Sequence, residues 1–202
     1  MEALNNAGDF KGNLIILVND NQMSIAENHG GLYRNLAELR ATNGQAENNF
    51  FKTFGLDYKY LENGNDIESL IHLFEEVKDI DHPIVLHIHT EKGRGYQPAL
   101  ENKEAFHWHM PFDLETGQSK VIDSGKSYSS VMLDYMDKKV SEGLPLVAIN
   151  AAIPGIFGLK QFAAKYPDRY IDAGIAEQFT ITFGGAMAVS YTHLTLPTIY
   201  SV

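Results

Sequence analysis

Three short runs in this sequence combine residue types that can do chemistry. Asn19-Asp20-Asn21-Gln22 is a polar cluster that follows directly on the apolar run Leu14-Ile15-Ile16-Leu17-Val18. Lys92-Gly93-Arg94-Gly95-Tyr96, with Phe106-His107 downstream, joins two cations to two glycines. The glycines let backbone approach a ligand closely, and the cations answer phosphate charge. Asp172-Ala173-Gly174-Ile175-Ala176-Glu177-Gln178 sets the Glu177 carboxyl among small and apolar neighbours, a setting that raises a carboxyl's hold on its proton. Taken alone, each run has a plain structural alternative: a polar strand-to-loop turn, a solvated basic turn, and a glutamate favoured by the dipole at a helix start. The pairs His87/His89 and His107/His109, flanking Ile88 and Trp108, raise a zinc site as a further alternative. With no cysteine and nothing to bring the pairs together, packing in strand and loop is the favoured reading.

The elements that must position these runs alternate along the chain. The opening residues read as the last turns of a helix stopped near Gly8. The run 14–18 reads as a strand buried on both faces in a parallel sheet, so the polar residues at its carboxyl end stand where open α/β sheets bind ligands. Residues 50–56 look helical and 58–61 extended. Ile67, Leu70, Ile71, Phe74 and Val77 form a helix-period stripe over 66–78, with Asp66 as N-cap, and 83–90 is the next strand. This order predicts a βαβ succession and a parallel sheet. Glycines and prolines break any periodicity over 91–126, which reads as a long functional loop or linker. A second unit follows, with a helix over 128–140, a strand over 144–150, a helix over 158–166, a strand over 170–173 and a Gly/Ala-rich helix to about 189. The resulting division is 1–112, a linker at 113–127, a second unit at 128–190, and a Thr-rich stretch at 191–202 that reads as a non-native tail.

Composition narrows the classes. The chain has 202 residues, 44% hydrophobic and 21% charged, an ordinary globular balance. A net charge of -10 disfavours nucleic-acid backbones and anionic membrane surfaces as partners, though a local cluster can still bind phosphate. The absence of cysteine excludes a disulfide framework and a thiol nucleophile and suits a cytoplasmic protein. The apolar runs fall far short of the roughly 20 residues that span a bilayer, so no membrane segment is expected. The first residues have neither the basic region nor the apolar stretch of a secretion signal.

Together, in this chain order, the three runs resemble a family. Asn19-Asp20-Asn21-Gln22-Met23-Ser24-Ile25 looks like the second half of the thiamine-diphosphate motif of transketolase-like enzymes, whose first half is a Gly-Asp-Gly some 30 residues earlier. Lys92-Gly93-Arg94-Gly95-Tyr96 with Phe106-His107, and Asp172 to Gln178, resemble segments of the 1-deoxy-D-xylulose-5-phosphate synthase family, the resemblance covering roughly residues 1 to 190. It implies a transketolase-like thiamine-diphosphate-binding α/β fold of parallel sheets and helices, present here incompletely. It also implies thiamine diphosphate and Mg²⁺ as cofactors. Asn21 would supply its side-chain oxygen and Met23 its carbonyl to the metal, a hard cation that takes oxygen ligands. Tyr96 would lie against the cofactor, Lys92 would serve cofactor or substrate phosphate, and His107 would sit in the substrate site. Glu177 would hydrogen-bond the aminopyrimidine N1′, work that needs a carboxyl able to hold or share a proton while desolvated.

The implied reaction joins pyruvate to D-glyceraldehyde 3-phosphate with loss of CO₂, feeding isoprenoid, thiamine and pyridoxal synthesis, in an enzyme that is a homodimer at full length. Residues 1–112 correspond to the later part of the diphosphate-binding domain and 128–190 to the start of the pyrimidine-binding domain. Phe179 departs from the family's histidine after Glu-Gln, and the Gly-Asp-Gly aspartate falls before residue 1. The expectation is therefore family membership with little or no turnover by this chain alone. The alternatives are a split or general transketolase subunit and a noncatalytic binding or assembly domain.

Overall fold

A strand that is apolar at most positions on both faces must be covered on both, and the sequence offers such a strand at 83–88, interrupted only by His87. The computed structural model describes residues 2–121, 125–155 and 157–191, and divides the chain into two compact units, Met1–Val121 and Ile122–Val202.

In the first unit, β1 (Leu14–Asp20), β2 (Asp57–Leu61) and β3 (Pro83–His89) form a parallel sheet in the order β1-β3-β2. Alternation of side chains sorts β3 between two cores. Val85 packs with α1 (Glu2–Gly8) and α2 (Gly31–Ala41) through Ala7, Leu36 and Leu39, joined by Phe51 and Leu56. Ile84, Leu86 and Ile88 pack on the other face against Leu73 and Val77 of α3 (Ile67–Val77). Each side chain so buried contributes about 1.5–3 kcal/mol, which is why β3, fully enclosed from Pro83 to Ile88, anchors the unit. The α3 helix starts as its sequence predicts, with Asp66 accepting a hydrogen bond from the Ser69 amide.

Three local readings differ from the structure. No signal announced α2: Gly30 stands at its N-cap without a side-chain cap, so the usual start mark is missing. Its place is fixed by Asn35, buried, which donates to the Asn48 carbonyl and accepts from the Phe50 amide. The predicted helix over 50–56 is a single 3-10 turn, Lys52–Phe54, stopped by Gly55 in the left-handed region (φ 77°). The loop after β3 contains α4 (Gln97–Glu101) and a 3-10 turn, Ala105–His107, and it closes with an isolated bridge between Phe112 and Ser119.

The second unit pairs β4 (Ala148–Asn150) in parallel with β5 (Tyr170–Asp172). Around them lie α5 (Tyr128–Ser141), capped by reciprocal Ser127–Ser130 hydrogen bonds, α6 (Leu159–Lys165) and α7 (Glu177–Tyr191). Val140, Ala148, Leu159 and Phe162 form its core. The strand predicted over 144–150 is short because the carbonyls of Leu144 and Leu146 accept from the Arg169 guanidinium instead. Residues 192–202, nearly all of the predicted tail, lie outside the described residues. Among the described residues no helix is long and apolar enough to cross a membrane.

Candidate functional site

The carboxyl ends of β1 and β3 fix one turn. Thr90 N–H donates to the Asp20 carbonyl, and Thr90 Oγ1 donates to Asn19 Oδ1 at 2.6 Å. Two overlapping Asx turns follow. Asp20 Oδ1 accepts from the Gln22 amide at 2.9 Å, and Asn21 Oδ1 accepts from the Met23 amide at 3.1 Å. Between them Gln22 lies in the left-handed region at φ 67°, where a side-chain-bearing residue is strained and is held only by its surroundings. Asn21 and Met23, the sequence-predicted metal ligands, are thus locked into one turn.

That turn borders a polar cleft of about 320 Å³ across the strand ends. Asn21 and Gln22 line it from β1, Glu62 and Asn65 from the end of β2, and His89 and Arg94 from β3 and beyond. His89 Nδ1 pairs with Glu62 Oε1 at 3.0 Å, and Gln22 Nε2 lies 3.1 Å from His89 Nε2. A carboxylate only accepts, so Nδ1 carries the proton and Nε2 takes the Gln22 amide hydrogen. Sequence reasoning missed this pair; alternation of His89 with His87 on one strand was the available sign.

Lys92 joins the turn to the downstream loop. Its Nζ donates to the Ser24 carbonyl and lies 3.1 Å from His107 Nδ1. Burial lowers the Lys92 pKa, with nearby Glu104 working the other way. Lys92 and His107 are therefore brought to the Asn21–Met23 loop. Tyr96 packs apart from them: its ring meets Phe106 edge-on at 5.5 Å and Phe112 at 5.9 Å, and its hydroxyl donates to the Leu114 carbonyl at 3.0 Å. His109 shares that cluster through Phe106 and donates from Nδ1 to the Met110 carbonyl. The four histidines weighed for zinc thus have other partners, and among the described residues no three His, Cys, Asp or Glu side chains gather as a metal site.

In the second unit, Asp172 organises the run that leads to Glu177. Its Oδ1 accepts from the amides of Gly174 (2.8 Å) and Ala152 (3.2 Å), its Oδ2 from Asn150 Nδ2 (2.9 Å) and the Tyr170 hydroxyl (3.2 Å). Burial alone would raise its pKa, but these donors outweigh burial and hold it below the usual carboxylate range. Glu177 opens α7 and is exposed, with Ile175 and Phe179 beside it 56% and 57% exposed. The apolar setting expected around this carboxyl is present as neighbours, but within its unit those neighbours face outward and do not desolvate it.

Helices packed on parallel sheets, with polar turns at strand carboxyl ends, define an α/β protein. Residues 1–48 and 41–90 match the family model described as 1-deoxy-D-xylulose-5-phosphate synthase. The chain is 35% identical to 1-deoxy-D-xylulose-5-phosphate synthase 1 of Geobacter sulfurreducens, over 93% of its own length and 35% of that protein. Against the synthase of Listeria monocytogenes the identity is 37%, over 93% of this chain and 32% of that protein. The chain belongs to the 1-deoxy-D-xylulose-5-phosphate synthase family. It spans about a third of the length of these relatives.

Proposed function

We propose that this chain is part of a thiamine-diphosphate- and Mg²⁺-dependent transferase that condenses pyruvate with D-glyceraldehyde 3-phosphate, releasing CO₂ and forming 1-deoxy-D-xylulose 5-phosphate for isoprenoid, thiamine and pyridoxal synthesis. The observation that carries the reading is the Asn21–Met23 turn at the strand ends, tied through Lys92 to His107.

The residues fit part of the cofactor assembly. Asn21 presents a side-chain oxygen beside a polar cleft, and with the Met23 carbonyl it offers neutral oxygen donors of the kind a hard divalent cation takes. Two such donors do not complete a site, and the anionic ligand is proposed to come from outside these residues. Lys92, already directed at the turn, supplies positive charge for a phosphate, and His107 beside it serves the substrate end. Tyr96 lies on the same loop and is proposed to contribute its ring to cofactor binding. At the start of α7, an exposed carboxyl between exposed apolar side chains suits an aminopyrimidine, a flat apolar ring with a polar edge. Glu177 would hold the proton at N1′. When bound, the cofactor supplies a carbon nucleophile and an electron sink for decarboxylation. The complete enzyme is proposed to be a cytoplasmic homodimer with neither nucleic-acid nor membrane partners, and this chain alone to give no sustained turnover.

Titrating isotope-labelled chain with thiamine diphosphate and Mg²⁺ tests the binding reading by NMR. Signals of Asn21, Met23, Lys92 and His107 should shift together and saturably. Titration that leaves all four unmoved refutes the reading. Sustained 1-deoxy-D-xylulose 5-phosphate formation by the isolated chain would overturn the inactivity.

A further inference from the structure

Behind the candidate cation turn lies a buried polar chain that does not line the cleft. Asp20 is 6% exposed, and its Oδ2 accepts from both the Arg40 guanidinium and His87 Nε2, the latter at 2.9 Å. His87 is fully buried, and its Nδ1 lies 2.7 Å from the Tyr58 hydroxyl. The carboxylate cannot donate, so Nε2 carries a proton, and in that tautomer Nδ1 accepts the Tyr58 hydrogen. Donations then converge on Asp20: Tyr58 donates to His87, His87 donates to Asp20 Oδ2, and the Gln22 amide donates to Asp20 Oδ1.

We infer that His87 and Tyr58 are positioning residues which, through Asp20, hold the left-handed Gln22 turn that aims Asn21 and Met23. This rests on the reading of that turn as the cation site, and it explains why buried ionic groups stand where apolar ones would pack more simply. Guanidinium and carboxylate prefer to meet in a two-oxygen fork. Left with Arg40 alone, the Asp20 carboxylate can swing both oxygens toward the guanidinium, and the Gln22 amide then loses its acceptor. The N–H of His87 competes for Oδ2 and keeps Oδ1 turned to the chain. Tyr58 makes His87 the right tautomer for that work by donating to Nδ1. At φ 67°, Gln22 returns to an ordinary backbone conformation once its amide is released.

The test is amide hydrogen exchange by NMR on the 202-residue chain. Gln22 and Met23 report the turn, and Leu86, in the enclosed centre of β3, reports the fold. His87→Leu is expected to speed exchange at Gln22 and Met23 by about tenfold relative to Leu86, the weight of one hydrogen bond to a charged group. Tyr58→Phe acts in the same direction but less. His87→Gln, whose amide N–H can still reach Asp20, restores slow exchange. A merely structural role moves Gln22, Met23 and Leu86 in step; that result, or unchanged exchange at Gln22 in His87→Leu, overturns the proposal. Should His87→Leu fail to fold, Tyr58→Phe, which removes one oxygen, and His87→Gln decide the matter by the same comparison. Mn²⁺ added to the unaltered chain as a stand-in for Mg²⁺ separates the two readings. With thiamine diphosphate present to supply anionic oxygens, absent line broadening at Met23 refutes the cation site, whereas the exchange rates decide the coupling by themselves.

Discussion

Replacing Asp172 by Ala removes four hydrogen bonds at once, to Gly174 N, Ala152 N, Asn150 Nδ2 and the Tyr170 hydroxyl. Two of the donors are backbone amides in left-handed turns, Ala152 at φ 61° and Gly174 at φ 71°. Bonds to a charged group contribute about 1.5–3 kcal/mol each, and a stranded buried donor costs about 1–3 kcal/mol. Asp172 is only half-buried, so water can replace part of what is lost. The expected local cost is about 3 kcal/mol, which is roughly a hundredfold in an opening equilibrium. Amide exchange at Gly174 and Ala152 should accelerate by that factor in Asp172→Ala, and less in Asp172→Asn, which keeps one acceptor oxygen. The same amides should loosen with acid. The folded pKa of Asp172 is depressed, so its contribution is complete above the ordinary aspartate pKa and fades as pH falls below it. If Gly174 and Ala152 exchange at the unaltered rate in Asp172→Ala, the carboxylate does not organise the run to Glu177.

Other perturbations follow from single features. Leu86→Ala opens a cavity in a fully enclosed site and should lower the stability of the first unit by about 3 kcal/mol, seen as a lower urea midpoint. Lys92→Ala should weaken binding of thiamine diphosphate with Mg²⁺ by tenfold or more while leaving that midpoint nearly unchanged, because the ammonium is only partly buried. Among the described residues β1 pairs with β3 alone and leaves Leu17 49% exposed, so the chain should self-associate. Leu17→Lys should shift sedimentation equilibrium toward the monomer.

Much of the fold was readable because periodicity and punctuation agreed with it. The apolar runs of β1 and β3 announced parallel strands, and Asp66 marked the start of α3, but β1, expected to be buried on both faces, is only partly covered among the described residues and leaves Leu17 exposed. Where a different force prevailed, the reading failed. The α2 helix is held by Asn35 reaching across to 48 and 50, a long-range polar tie that no local pattern encodes. At the candidate site, residue types and order singled out Asn21, Met23, Lys92 and His107 for proposal, but not the partners that support their turn. Asp20 passed as one more polar turn residue and His87 as strand filler; only sheet register, which sets β1 beside β3, shows that they meet. Tyr96 shows the reverse: its sequence context suggests a ligand, while the packing supplies aromatic neighbours and a carbonyl for its hydroxyl.

The order of strands also governs when this region can take shape. Both β1 and β2 find their hydrogen-bonding neighbour in β3, the last of the three described strands of their sheet in chain order. As this stretch leaves the ribosome, β1 and β2 emerge before the neighbour they share among the described residues, an interval in which a holding chaperone has the apolar β1 to grip. Once β3 emerges, a single insertion brings Asp20, Tyr58 and His87 together, so the sheet and the support for the Asn21 turn are completed in one event.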